Sequence, residues 1–322
     1  MATKYLIIQT AFIGDVILAT PVIESLKKHN PEICIDVLVK KENSSVLDGN
    51  KSINKVFTLD KSKKLKSIFS LIQTFRSIRY DCIINLHRFA SSGIICALSK
   101  GKETRGFSKN PLSIFYSKKI KHVIQDGMHE VDRNLSLIDD IVAESIRKPH
   151  IDISDEVRQS ISSYQSKKYF CLAPASVWQT KEAPLSIWSK LIEQLNRTEE
   201  SHIFLIGGPK DFEKSEALKK SAQHKNIINL CGKLSLIESA ALMQNAVRNY
   251  VNDSAPLHLA SALNAPVSVF YCSTSPKFGF GPLSEDSKII EVKNLDCKPC
   301  GLHGHRSCPK GHFKCGNELE LG

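Results

Sequence analysis

Four stretches of this chain carry side chains whose types and spacing can do chemistry. The first is Asp253-Ser254-Ala255-Pro256-Leu257-His258. It follows Tyr250-Val251, and apolar residues recur at helical spacing from Leu257 to Leu263. Ser254 suits an N-cap and Pro256 a first helical turn. Strand, tight turn and helix N-terminus are therefore expected. Free backbone N–H groups and the helix dipole can hold a phosphate there. His258, one turn in, faces the same ligand. An ordinary βαβ turn explains the same pattern. The second is Asp15, closing the turn Thr10-Ala11-Phe12-Ile13-Gly14-Asp15. A carboxylate at that point caps a helix or acts as a general base at the C-terminal edge of a sheet. The turn has one glycine, not G-x-G-x-x-G, which disfavours a dinucleotide site. The third is His87-Arg88, directly after the apolar run Tyr80–Leu86. These two are either ligand-edge residues or a solvated loop. The fourth is Cys297-x2-Cys300-x7-Cys308-x6-Cys315, with His303, His305 and His312 interleaved. The spacing loosely suits a structural zinc site; a redox-labile loop or disulfides are the alternatives.

Elements must position these residues. The first half reads as buried strands at Lys4–Gln9, Cys34–Val39, Lys55–Leu59 and Tyr80–Leu86, with a short strand inside Gly101–Phe107. Helices are expected over Val16–Lys28, over Lys61–Arg79, up to about Ser99, and from His129 to about Ala143. In Lys61–Arg79 the apolar face is Leu65, Ile68, Leu71, Ile72 and Phe75. Lys109–Lys121 reads as basic and irregular, and Arg147–Ser154 as a linker. The second half restarts the alternation. Strands are expected at Tyr169–Ala173, Ile203–Ile206, Ile227–Leu230, just before Val251, and at Val267–Tyr271. Helices fill Leu185–Leu195, the segment after Asp211, Leu236–Asn245 and Leu257–Leu263. This pattern is α/β: two Rossmann-like domains with parallel sheets facing each other, the substrate in the cleft between them. The expected divisions are 1–160, 161–295 and a Cys/His-rich tail, 296–322.

Composition sets outer bounds. A length of 322 residues, 42% hydrophobic, accommodates two cores. No apolar run approaches the ~18–20 residues of a membrane span. Gln9 and Asp15 interrupt the one signal-peptide suspect, Tyr5–Leu26, so a cytoplasmic chain is expected. Six of the ten cysteines are scattered singly through apolar segments and read as reduced core residues. A formal charge of +11 implies an anionic partner, a membrane surface included, or only a lysine-rich solvated surface.

Several segments carry a resemblance. They are Ile13–Val22 (IGDVILATPV), Tyr80–Arg88 (YDCIINLHR), Ser176–Trp188 (SVWQTKEAPLSIW) and Ile206-Gly207-Gly208-Pro209. Gly232–Leu242 (GKLSLIESAAL) and above all Asn252–Tyr271 (NDSAPLHLASALNAPVSVFY) complete the series. In this order, over nearly the whole chain, they resemble the ADP-heptose:lipopolysaccharide heptosyltransferases, the inverting glycosyltransferases of family 9. The resemblance implies a GT-B fold, a nucleotide-sugar donor on the C-terminal half and an acceptor on the N-terminal half. It implies transfer of a heptose from ADP-heptose to Kdo or heptose of the lipopolysaccharide inner core, at the inner face of the cytoplasmic membrane. It makes Asp15 the base and puts Gly14, His87 and Arg88 at the acceptor. It puts Lys181 on the diphosphate with Ser176, Asp253, Ser254, Ala255 and His258 around the donor; Asp211, by its own position after the Gly-Gly-Pro turn, is a candidate for the ribose. It also implies that catalysis requires no divalent metal, leaving zinc in the tail as the one metal to expect.

The chain departs from the family at Ala255, where glycine is usual. Glycine admits a positive φ and close approach of a phosphate. Alanine is harmless only if φ is negative. The competing reading is a non-catalytic nucleotide or nucleic-acid binding protein with a zinc-binding tail. Nucleic-acid modules interleave aromatic platforms with basic residues. This chain has 7% aromatics without such interleaving, so no nucleic acid is expected.

Overall fold

A computed structural model describes residues 3–124, 127–196, 201–222 and 226–321. The chain divides into two compact units between Asp152 and Ile153.

In the first unit, a six-stranded parallel sheet is ordered β3-β2-β1-β4-β5-β6. Its strands are β1 (Lys4–Gln9), β2 (Cys34–Lys40), β3 (Lys55–Leu59), β4 (Cys82–Asn85), β5 (Glu103–Phe107) and β6 (Lys118–Ile120). Leu6, Ile7 and Ile8 of β1 are all fully buried, because helices cover both faces of a parallel sheet. Each such side chain contributes about 1.5–3 kcal/mol by leaving water. The helices are α1 (Ile13–Ile17), α2 (Thr20–His29), α3 (Lys64–Ile78), α4 (Ala90–Leu98) and α5 (Glu130–Leu135). Leu6 and Ile8 join Ile68, Leu71, Ile72 and Phe75 of α3 and Ile95 of α4 in one core cluster.

The second unit opens with α6 (Asp155–Ser160), capped by Ser154, whose hydroxyl accepts from the Val157 N–H. Ser160 donates to Glu238 and Arg158 to Gln244, which draws this helix into the second unit and puts the division before it rather than near residue 160. The sheet order is β12-β11-β10-β7-β8-β9, again all parallel. Its strands are β7 (Tyr169–Ala173), β8 (His202–Leu205), β9 (Ile227–Asn229), β10 (Arg248–Asn252), β11 (Val267–Tyr271) and β12 (Ser287–Glu291). The helices are α7 (Leu185–Asn196), α8 (Phe212–Ser221), α9 (Leu236–Gln244), α10 (Ala255–Leu263) and α11 (Lys314–Asn317). Counted within its own unit, each sheet has the doubly wound order 3-2-1-4-5-6. That order reverses direction between β1 and β4, and between β7 and β10, and such switch points are where α/β sheets bind ligands.

Several expectations need correction. The helix after β1 starts at Ile13 and breaks before Thr20, because Pro21 has no N–H to continue the ladder and Thr20 Oγ1 bonds the Ile17 carbonyl instead. Leu65 is 83% exposed; the apolar stripe of α3 begins at Ile68. The helix from His129 ends at Leu135, where Ser136 and Asn134 turn their side chains onto backbone carbonyls. Strands β6 and β12 are additions, both at sheet edges. Among the described residues, no helix is long and apolar enough to cross a membrane.

Candidate active site

The loops after β1 and β4 meet at the first switch point. Thr10 Oγ1 lies 2.8 Å from His87 Nδ1, joining the two loops. Asn85, at the end of β4, accepts from the His87 N–H and donates to Tyr116 Oη at 2.7 Å. Asp15 is the third residue of α1, and its Oδ2 accepts from the Phe12 N–H at 3.2 Å. Gly14, beside it, is buried. Burial pushes Asp15 up to about 6, and the Glu130 carboxylate adds to the rise, while Arg88 and the Phe12 N–H oppose it. A carboxylate titrating there is ionised at neutral pH and basic enough to take a proton. Burial, with Lys40, Arg88 and Lys61, lowers His87 to about 4, so its imidazole is neutral.

Behind Asp15 stands a network that motif reading passed over. Arg88 Nη1 lies 2.6 Å from His122 Nε2, and His122 Nε2 lies 3.2 Å from Glu130 Oε2. Arg133 Nε donates to the same carboxylate oxygen at 2.6 Å. Burial opposes ionisation of Glu130, but His122, Arg133 and Arg88 outweigh it and hold its pKa below the ordinary range. The fixed negative charge then acts on Asp15. Lys40 is a further cation here: burial and the adjacent Lys61 ammonium lower it to about 8, and its Nζ sits 4.8 Å from the Phe12 ring centre. These residues come from β2, the segment before α3, the loop after β4, the segment after β6, and α5, so no local spacing links them to Asp15.

The second switch point joins the loops after β7 and β10. Asn252, at the end of β10, accepts from the Ala183 N–H at 3.0 Å and donates to the Pro174 carbonyl at 3.0 Å. Asp253 follows. Its Oδ2 pairs with Lys181 Nζ at 2.6 Å and accepts from Thr274 Oγ1 at 2.7 Å. Lys181 and Asp253 are thus brought together at the start of α10, both side chains mostly buried. Ser254 is the N-cap residue, but its hydroxyl turns back to the Asn252 carbonyl at 3.3 Å. It leaves the first-turn N–H groups of α10 uncapped by that side chain. Ala255 is the first helical residue and is not among the positive-φ residues, so its methyl imposes no backbone strain. His258 is buried, with its ring against Phe280 at 6.4 Å between centroids. The Ser176 N–H donates to Glu182 Oε1 at 2.8 Å, and Glu182 pairs with Lys214. Asp211 accepts from the Gly208 N–H at 2.8 Å, tightening the turn before α8.

The cysteine-rich tail is part of this second site's frame. Thr180 donates its N–H to the His305 carbonyl at 3.1 Å and accepts from the His305 N–H at 2.8 Å. A Cβ on Gly304 would lie 2.6 Å from Trp178 Cβ and 2.7 Å from Lys181 Cγ. The tail therefore packs directly on the lysine's loop. Cys315 is buried with Leu319 in the core around Trp188. Cys300 Sγ contacts the Cys297 carbonyl at 3.1 Å, and Cys297 Sγ lies 3.9 Å from His312 Nε2. All ten cysteines, Cys308 included, are free thiols, so none is spent in a disulfide. Among the described residues no three His, Cys, Asp or Glu side chains are grouped to hold a metal ion.

A sequence profile described as glycosyltransferase family 9 (heptosyltransferase) matches residues 68–310. Lipopolysaccharide heptosyltransferase 3 of Escherichia coli strain K12 is 27% identical over 285 residues, covering 82% of this chain and 81% of that protein. A solved family 9 glycosyltransferase from Veillonella parvula superposes with a TM-score of 0.83 at 23% identity, covering 91% of this chain and 88% of that one. The E. coli ADP-heptose lipopolysaccharide heptosyltransferase II does so at 0.78 and 20% identity, covering 92% and 96%.

Proposed function

Because the chain belongs to glycosyltransferase family 9, we propose that it moves a heptose from ADP-heptose to the inner core of lipopolysaccharide. Transfer inverts the anomeric carbon and proceeds without a divalent metal. The observation that carries the reading is Asp15, a carboxylate raised to about 6 at the first switch point. The acceptor hydroxyl gives its proton to Asp15 as its oxygen attacks the anomeric carbon of the donor. The bond from that carbon to the diphosphate oxygen breaks, and ADP leaves with the bonding pair. The charge that grows on the diphosphate is met by Lys181 and the N–H groups opening α10. Lys181 is held by Asp253 beforehand, so the diphosphate shares or displaces that carboxylate. Lys40, Lys61 and Arg88 near Asp15 favour an acceptor that is itself anionic, as sugar acids are. Ser176, Asp211 and His258 complete the donor side, and the reaction belongs at the inner face of the cytoplasmic membrane.

The test is a donor screen on a truncated lipopolysaccharide core with mass detection in EDTA, followed by assignment of the new anomeric configuration. One heptose added from ADP-heptose with inversion is the expected product. Transfer with retention, dependence on added metal, or stabilisation by oligonucleotides but not by ADP would sink the reading.

A further inference from the structure

Helices α3 and α4 and the loop around Ser113–Phe115 cover one face of the first sheet. Their inward side chains, with Tyr116, share a single core cluster. Arg76 Nε bonds the Leu98 carbonyl, tying α3 to α4. Asn110 Nδ2 bonds the Phe89 carbonyl, tying the loop to the start of α4. The outward side of this layer is unusually apolar. Leu65 and Phe69 of α3 are 83% and 64% exposed, and Ile114 and Phe115 of the loop 72% and 62%. Phe89 and Leu98 at the ends of α4 are exposed as well. These side chains sit among cations of one sign. Residues 61–79 carry Lys61, Lys63, Lys64, Lys66, Arg76 and Arg79 without a single Asp or Glu, and residues 109–121 add Lys109, Lys119 and Lys121, their fourth lysine, Lys118, being paired with Asp139 and Asp140. In contrast, the outer face of α8 in the second unit mixes Glu213 and Glu216 with Lys219 and Lys220 and exposes no large apolar side chain.

Exposed leucine and phenylalanine interleaved with lysine is the pattern of a surface that lies on an anionic bilayer. The rings enter the headgroup boundary and the ammonium groups meet lipid phosphates. A merely solvated lysine-rich face would not also expose aromatic and aliphatic side chains, and an interface with a second copy would set like charges against like.

We infer that the α3–α4 face of the first unit docks on an anionic phospholipid membrane. The inference deepens the proposed function, whose acceptor is lipid-anchored, by naming the surface that meets the membrane.

The experiment is co-sedimentation of the full chain with vesicles of phosphatidylcholine alone or mixed with phosphatidylglycerol. The chain is expected to pellet only with the mixed vesicles, and less so as salt is raised. Lys63→Glu with Lys66→Glu should weaken that binding at least about tenfold, since each lysine near an anionic surface is worth about a fivefold change in partition. Leu65→Ser with Phe69→Ser should weaken it at every salt concentration. Lys219→Glu with Lys220→Glu on α8 should leave it unchanged. Each variant is checked for thermal stabilisation by ADP and for transfer to a soluble, delipidated core, both of which should match the wild type. Equal pelleting of the α3 variants and the wild type overturns the inference, as does a wild-type chain indifferent to phosphatidylglycerol. So does a dimer that the α3 substitutions dissolve, which would make the face an interface between copies. Loss of vesicle binding with soluble transfer intact bears on docking alone. Vesicle binding without any heptose transfer bears on the proposed reaction alone.

Discussion

In the first unit Thr10 and His87 join the loops after β1 and β4 across the switch point; in the second, Lys181 and Asp253 join the loops after β7 and β10. An asparagine ends the second of these strands in both cases: Asn85 fixes the loop beyond its own strand at the His87 N–H, and Asn252 fixes the loop after β7 at the Ala183 N–H. The scaffolds match, and what stands on them differs. The first site pushes a carboxylate toward neutrality by burial and by the Glu130 charge behind it. The second pairs a cation with a carboxylate and opens on a helix of nine residues. One arrangement suits taking up a proton, the other holding a diphosphate. A doubly wound sheet thus fixes where chemistry happens, while residues imported from other elements fix which chemistry.

Substitutions can break that contrast. Asp15→Asn should lower kcat by about two to four orders of magnitude while leaving ADP binding intact, as measured by steady-state kinetics and calorimetry. It should also stabilise the fold at pH 7. Folding raises the Asp15 pKa from about 4 to about 6, so its ionised form opposes folding. That penalty is absent below about pH 4, grows through the window between, and is complete above about 6, where it amounts to at most about 2–3 kcal/mol. A stability loss with activity retained would mean that Asp15 only caps α1.

Lys181→Ala should cost about two to three orders of magnitude in kcat and weaken ADP-sugar binding. It also strands Asp253 in a buried position, so stability falls. Lys181→Met with Asp253→Asn should recover the stability but not the turnover. Recovery of both would make the pair structural. Gly304→Ala tests the tail as a frame for the second site: its methyl collides with Trp178 and Lys181. A loss of about 1–3 kcal/mol with a raised donor KM is expected, and chemistry at Asp15 should keep its pH profile. The acidic limb of kcat should fall near pH 6 in the wild type, and Glu130→Gln should move it to lower pH by removing a charge that raises Asp15. An unmoved limb would show that Glu130 does not reach the base. The smallest effect belongs to Ala255→Gly. With a helical backbone at that position, it should cost up to about 1 kcal/mol of stability and bring no gain in donor affinity. A clear gain would reveal strain there.

The central strands were legible because strands buried on both faces read as continuous apolar runs, as in Lys4–Gln9 and Val267–Tyr271. The edge strands were not. In β12 only Ile290 is buried and in β6 no residue is, so neither carries a run or an alternation. Periodicity marked the stripe of α3 but not its end, since nothing local says that the core stops before Leu65.

The candidate sites divide along the same line. His87, Lys181 and Asp253 lie in the loops after central strands and Asp15 in the first helical turn after one, so chain order alone brings them to the sheet edge. Tertiary structure decided their partners and hence their properties. Glu130 raises Asp15 from α5, Thr274 steadies Asp253 from beyond β11, and Gly304 supports Lys181 from the tail. The physical reason is range. Strand and helix signals are local, built from neighbours at two or three to four residues, whereas charge and packing act through a few ångströms of space between residues far apart in the chain.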